Sequence, residues 1–414
     1  MSQKLAVDGG SKVRSTPFPS RGLIGPEERA AALAMFDQAI ATGNAFGYGG
    51  PAEQQYEKDF AAYLGGGFAD AVNSGSNAVY CALGALQIDA LSEVIVPPIT
   101  DPGGIMPVAL LGLVPVVADA DPRTYNTSAE QIAPLITERT RAIVVAHIAG
   151  DALDMDPILA LAKKHNLYVV EDCAQAHGTT YKGRMAGTLG DIAAFSTMFG
   201  KHHCTGGQGG VVFTRNETLH WQGKRFADRG KPFNLTNAGG NVVAGLNCNL
   251  NDLSAVIGSA QVAKLPRIIG NRVRIGNAIR DGLAANAAVT VGWQVPESQS
   301  CYWFLRMAFH PEAVRVDKAT FCQALAAEGI PATVAYRAIP AEYPWFRERR
   351  VFGASGFPWT CSDYKGPREP QAHIANALRV VETHFNIAMH ESYGDQEIAD
   401  IIEAVRKVSE AYAR

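Results

Sequence analysis

Apolar residues recur along this chain with two different periods, and the change from one to the other marks its elements. Helical spacing holds over 26–42, with Pro26 placed as at a helix start, and over 51–64, where Tyr56, Phe60 and Tyr63 share one face. A Gly-rich loop, 43–50, separates the two. The run Ala69-Asp70-Ala71-Val72 then reads as a strand, Asn73-Ser74-Gly75-Ser76 as a turn, and Val79, Leu83 and Leu86 as the buried face of a helix. Short apolar runs at 93–98, 114–118, 141–148, 167–172, 192–197 and 209–214 read as further strands, with helical stretches between several of them, notably 157–165. Such alternation predicts an α/β protein with a mostly parallel sheet covered on both faces.

Beyond 214 the pattern predicts a loop-rich stretch at 223–249, a helix at 251–264 and a second long helix at 266–283. The character then changes. Strands are expected at 302–309 and 330–336, a helix at 318–328, an irregular Pro- and aromatic-rich stretch at 340–370, and a final helix at 395–413. The expected division is an N-terminal arm, 1–25, a large domain, 26–284, and a smaller C-terminal α+β domain, 285–414.

Open parallel sheets bind ligands beyond the carboxyl ends of their strands. Three chemically suggestive segments fall at such ends: the Ser74-Gly75-Ser76 turn, Glu171-Asp172 after the 167–172 run, and Ser196 after the 192–197 run. The turn opens a helix, whose free N–H groups and hydroxyls suit an anion such as phosphate. Strand alternation sends Glu171 and Asp172 to opposite faces, so only one of them can enter the cleft. Five residues past Ser196 stands Lys201, followed by Thr205-Gly206-Gly207-Gln208-Gly209-Gly210. A lysine so placed can form a Schiff base with a carbonyl cofactor such as pyridoxal phosphate. Asp172 would then sit against the pyridine nitrogen, Gln175 near the ring oxygen, and Gly75, Ser76 and Ser196 at the phosphate. Once released, Lys201 would become the base that moves the proton.

Composition narrows the field. The chain has 414 residues, and its 37 Lys+Arg against 40 Asp+Glu, with no basic block, argue against nucleic acid and anionic membrane as partners. The N-terminus shows no apolar secretory region and no run is long enough to span a membrane. Seven scattered cysteines without Cys-x-x-Cys suit a reducing compartment, so a cytoplasmic protein is expected. No metal site is expected, because the adjacent side chains of His202-His203-Cys204 diverge and lack matching partners.

Taken together, Glu171-Asp172-Cys173-Ala174-Gln175-Ala176-His177-Gly178, Gly190-Asp191, Phe195-Ser196 with Lys201, and the glycines at 206, 207, 209 and 210 resemble the DegT/StrS family of sugar and aminocyclitol aminotransferases. Leu5-Ala6-Val7-Asp8-Gly9-Gly10, Asp119-Ala120-Asp121-Pro122, His147-Ile148-Ala149-Gly150 and the stretch 247–261 extend the resemblance over nearly the whole chain. It implies a fold type I pyridoxal-phosphate transferase, with a mostly parallel seven-stranded sheet in the large domain. It also implies transfer of an amino group from glutamate or glutamine to a keto-sugar or keto-cyclitol, scyllo-inosose-like or nucleotide-linked, by a ping-pong mechanism through Schiff bases. The setting would be sugar or aminocyclitol biosynthesis, for an antibiotic or a polysaccharide. Asn247 falls where the family supplies a phosphate ligand from the neighbouring subunit, so the resemblance implies a homodimer with shared active sites.

Three departures qualify the resemblance. Asp101 stands where family members usually place an aromatic that stacks on the cofactor ring, and a carboxylate there would contact cofactor or substrate instead. Asn249 replaces a frequent arginine, which leaves open how a donor carboxylate is held. His202 and His203 are unusual after the lysine. His147, His202 and Arg337 are the candidate substrate contacts. A sugar dehydratase or lyase on the same cofactor, and a non-catalytic regulatory member, are the alternative readings.

Overall fold

The computed structural model, which describes residues 4–414, gathers the first set of apolar runs into one seven-stranded sheet. Its strands are β1 (Phe68–Val72), β2 (Glu93–Val96), β3 (Val114–Val117), β4 (Thr140–Ala146), β5 (Tyr168–Asp172), β6 (Ile192–Ser196) and β7 (Gly210–Thr214), in the spatial order β1-β7-β6-β5-β4-β2-β3. The ladders joining β3, β2, β4, β5 and β6 are parallel, whereas β7 runs antiparallel to both β6 and β1. Strands β2, β6 and β7 are buried throughout, and that is why they read as continuous apolar runs rather than as alternation.

Helices cover the sheet, and their ends follow local chemistry. Helix α1 (Pro26–Thr42) starts with proline in its first turn and a Glu28 carboxylate taking the Gly25 N–H at 2.7 Å, and it stops at Gly43, whose φ of 70° is left-handed. Helix α2 (Pro51–Tyr63) buries Tyr56 and Phe60, and α3 (Gly75–Ala85) is capped by Ser74, whose hydroxyl accepts from the Asn77 N–H. Helix α4 (Met155–His165) leads into β5. Helix α5 (Glu217–Ala227) occupies the start of the stretch expected to be loop; the Asn216 side chain accepts from the Thr218 and Leu219 N–H groups and fixes its start.

The two long helices expected on either side of Pro266 are one, α6 (Asp252–Leu283), 32 residues long. An internal proline costs a helix about 3 kcal/mol. Pro266 lies on the exposed side, while Leu265, Ile268 and Ile269 are buried on the other. Packing along the whole length therefore outweighs the break.

The C-terminal end of α6 enters a second core. Its Ile275, Ile279 and Leu283 pack with residues of a four-stranded sheet, ordered β8 (Val289–Val291), β9 (Leu305–Phe309), β11 (His384–Ile387), β10 (Ala332–Thr333). Helices α7 (Lys318–Ala327), α8 (Ala375–Thr383) and α9 (Asp395–Tyr412) complete this half, and Leu5 of the arm is buried in it. The strand expected at 302–309 begins only at Leu305, because Tyr302 takes a left-handed φ of 49°. The strand expected at 330–336 is cut to two residues, Ala332 and Thr333. The chain then turns back toward the large sheet, where the Ala338 carbonyl accepts from the Thr100 N–H at 2.9 Å. Ile339, Phe346, Trp359 and Tyr364 consequently join the core of the large sheet.

Candidate active site

The carboxyl ends of β1, β5 and β6 and the start of antiparallel β7 meet at one edge of the sheet, and a cavity of about 280 Å³ opens there. Ser74, Gly75, Ser76, Asp101, Gly103, Gly104, Asp172, Ser196 and Lys201 are among the residues that line it. Segments as far apart in sequence as 75 and 201 thus converge on one hollow.

Strand alternation decides which acid enters. Asp172 ends β5 facing the cavity, and one of its oxygens accepts the Ala174 N–H at 2.9 Å. Glu171 points to the other face, wholly buried. There it accepts from the N–H groups of Gly187, Leu189 and Gly190 and bonds His147 Nε2 at 3.0 Å. Burial alone would raise the Glu171 carboxyl, but His147 and these donors hold it below its usual range. Asp172 has less support. Burial pushes its carboxyl up, Asp101 adds to that, and the Ala174 N–H and the nearby Lys201 ammonium offset it only in part. Burial in turn pushes Lys201 down, against the pull of Asp172 and Asp101. A cationic ring nitrogen beside Asp172 would relieve its carboxylate, and a lysine lowered in this way is more readily a free amine.

The anion end is equally definite. Ser74 spends its hydroxyl and carbonyl on the Asn77 and Ala78 N–H groups, which leaves those of Gly75 and Ser76 at the first turn of α3. The Ser196 hydroxyl has only a long 3.5 Å contact to the Met198 N–H, and among the described residues that of Ser76 has no partner. Small residues shape the wall. A Cβ at Gly75 would stand 2.6 Å from the Ser196 Cβ, one at Gly104 2.7 Å from an Asp172 oxygen, and one at Gly103 would collide with the Ser76 hydroxyl. Two hydroxyls open to the hollow, two free N–H groups, a buried acid and a half-buried lysine around one cavity fit pyridoxal phosphate.

The remaining candidates fall in different places. Gln175 is buried next to the lining residue Ala174 without itself lining the cavity, its oxygen accepting from the Ala149 N–H and its nitrogen donating to the Tyr336 hydroxyl, both at 2.9 Å. Asp101 lies on the rim, with Oδ1 accepting from the Gly103 N–H. Asn247 is exposed, away from its own chain's cavity, and its oxygen accepts from the Asn249 side chain. His147 is not brought to the cavity, because both its nitrogens are engaged, one by Glu171 and one by the Leu153 N–H. His202 is fully buried behind the lysine, with Nε2 at 3.3 Å from Cys301 Sγ. Arg337 is exposed and paired with Glu342 at 3.0 Å. Sequence reading missed Gly103 and Gly104, whose pairing after Asp101-Pro102 was a usable signal. It also missed Trp303, whose ring centre is 4.9 Å from Lys201 Nζ, and the role of Tyr336 beside Gln175.

A larger cleft of about 590 Å³ lies elsewhere, lined by Tyr48, Glu53, Glu57, Lys224 and Asp228 among others. Two of its lysines are already matched, Lys224 Nζ standing 3.0 Å from Glu57 and 2.8 Å from Asp70, and Lys231 Nζ 2.7 Å from Asp228. Of these two cavities, the smaller is the one that joins a lysine and a buried acid to an anion end.

Comparison with known proteins agrees with this chemistry. Residues 26–406 match the model of the DegT/DnrJ/EryC1/StrS aminotransferase family. The L-glutamine:2-deoxy-scyllo-inosose aminotransferase of Streptomyces fradiae is 32% identical over 99% of this chain and 98% of its own. The GDP-perosamine synthase of Caulobacter vibrioides is 39% identical over 53% of this chain, spanning 59% of that relative. Among solved structures, an aminotransferase from Psychrobacter cryohalolentis superposes with a TM-score of 0.82 at 29% identity, covering 96% of this chain and 99% of that one.

Proposed function

The chain belongs to the DegT/DnrJ/EryC1/StrS aminotransferase family and is a pyridoxal-phosphate-dependent aminotransferase of sugars or cyclitols, and on that premise we propose that Lys201 is its covalent residue and Asp172 the partner of the cofactor's ring nitrogen. The observation carrying this assignment is the single cavity that holds Lys201, Asp172, Ser76 and Ser196 together.

Pyridoxal phosphate, when bound, supplies an aldehyde that condenses reversibly with amines and a ring that accepts the electron pair left by a departing proton. The chain's residues do the rest. Gly75 and Ser76 N–H groups with the Ser76 and Ser196 hydroxyls hold the phosphate and so fix the ring's position. Asp172 keeps a proton on the ring nitrogen. Lys201 Nζ, once displaced by the incoming amine, would take the proton from the substrate carbon that bears the amine and deliver it, across the nitrogen, to the carbon that was the cofactor's aldehyde. Gln175, already fixed by Ala149 and Tyr336, has a second amide proton to offer the ring oxygen.

The donor is glutamine or glutamate and the acceptor a keto-cyclitol or keto-sugar. This reading is supported by the glutamine:inosose aminotransferase of S. fradiae, which aligns over nearly its full length. Mixing the holoenzyme with each donor should convert the cofactor to its amine form. Reoxidation by scyllo-inosose derivatives but not by 2-oxoacids other than the donor's own is the expected pattern. Conversion by neither donor would refute the assignment.

The same reading makes the enzyme a cytoplasmic homodimer. Support comes from α1, which buries only Glu28 and leaves Leu33, Phe36 and Ile40 exposed, and from Phe233, Leu235, Val242 and Leu246, exposed on the loop before Asn247. All seven cysteines are unpaired, and no helix among the described residues is long and apolar enough to cross a membrane. Sedimentation equilibrium at micromolar concentration should give twice the chain mass, and a monomer would remove the shared site.

A further inference from the structure

Lys201 sits on an irregular turn, 199–203, so no helix or strand fixes its backbone. Its own N–H donates to the Met198 carbonyl at 2.8 Å. The carbonyls on either side of it, those of Gly200 and His202, accept from one guanidinium. Arg21 of the N-terminal arm donates to Gly200 from Nη1 at 2.8 Å and to His202 from Nη2 at 3.2 Å. One planar fork thereby grips the peptide group that precedes the lysine and the one that follows His202, so the turn is held on both sides of Lys201, which an ammonium cannot do.

The fork is itself held. Arg21 Nε donates to Glu391 Oε1 at 2.8 Å, and the other Glu391 oxygen accepts from Arg272 Nε at 2.9 Å. Arg272 Nη1 donates onward to the Tyr302 carbonyl at 2.8 Å. The next residue, Trp303, closes the circuit, with its ring centre 4.9 Å from Lys201 Nζ and 5.8 Å from the Arg272 guanidinium carbon. The side chains of Arg272 and Glu391 are 2% and 9% exposed, so water does little to loosen these charge-assisted bonds. Arm, long helix, 302–303 segment and C-terminal segment all converge beneath one reactive residue.

We propose that Arg21 and Glu391 are positioning residues for Lys201, holding its amine on the line of attack toward the cofactor aldehyde. The inference rests on the reading of Lys201 as the covalent residue. Neither Arg21 nor Glu391 lines the cavity, so they act through the lysine's backbone and not on the cofactor's ring or phosphate.

Two measurements on the full-length apoprotein separate positioning from mere stability. One is the equilibrium affinity for pyridoxine 5′-phosphate, which carries ring and phosphate but no aldehyde. The other is the rate of covalent capture of pyridoxal 5′-phosphate, trapped with borohydride and located by peptide mass. Misplacement by about 1 Å can slow a reaction by about 100-fold. Arg21→Ala and Glu391→Gln should therefore slow capture by about 10-fold or more, while affinity for the pyridoxine phosphate stays within about 2-fold. Arg21→Lys keeps the charge on Glu391 but loses the fork, and should fall between wild type and Arg21→Ala. Capture within about 2-fold of wild type, or capture and affinity falling by the same factor, would overturn the proposal. Should Arg21→Ala fail to fold, Glu391→Gln and Arg21→Lys carry the test. A wild-type protein that is not trapped at Lys201 would instead overturn the reading beneath it, so the two failures are distinguishable.

Discussion

Lys201→Ala should leave a protein that binds pyridoxal phosphate but is never joined to it, with turnover reduced roughly 10⁴-fold or more, the scale expected when a covalent residue is removed. The phosphate end of the cavity does not involve the lysine, so affinity should survive in weakened form. What disappears is the amine that both holds the aldehyde and moves the proton. The wild-type amine should also betray its surroundings. Burial lowers Lys201 from the ordinary lysine value of 10.5. Only the deprotonated amine attacks, so the capture rate should rise with pH through a midpoint below 10.5, and stopped-flow absorbance across pH 7–11 would read it. A midpoint at or above the ordinary value would mean that the amine is not buried as described.

Asp172→Asn should bind cofactor near normally yet slow amino-group transfer by about 10²–10³-fold, the usual loss when one preorganised electrostatic partner is removed. The exchange preserves shape, and the amide oxygen can still accept the Ala174 N–H that Asp172 accepts at 2.9 Å. It removes the negative charge. Without that charge no buried acid in the cavity is left to keep a proton on the ring nitrogen, because Glu171 faces away and is saturated by His147 and three backbone donors, and Asp101 is exposed on the rim. Single-turnover spectra with the amino donor would show the loss in the rate and not in the affinity. A rate within a few-fold of wild type would release Asp172 from this role.

Where local pattern and function agree, the sequence was readable. Strand runs whose ends carry Ser74, Asp172 and Ser196 could be placed because a buried parallel sheet needs unbroken apolar segments and presents its strand ends to the ligand. Alternation allowed only one of Glu171 and Asp172 to enter the cavity, and the resemblance pointed to Asp172. Legibility failed where a position depends on distant partners. Pro266 marks a break in any local reading, yet packing on the opposite face carries α6 through it. His147 reads as a candidate substrate contact at a strand end, and only the fold shows Glu171 and Leu153 claiming both nitrogens. Arg21 and Glu391 are 370 residues apart, and no spacing along the chain announces that they meet beneath Lys201.

The most direct test of the account is to treat the wild-type protein with pyridoxal 5′-phosphate and borohydride, digest it, and find by mass which peptide carries the reduced cofactor. The arrangement of Lys201, Asp172 and the Ser76–Ser196 end predicts a single modified site, Lys201. Modification of another lysine, such as Lys224 in the larger cleft, or of none, would contradict it.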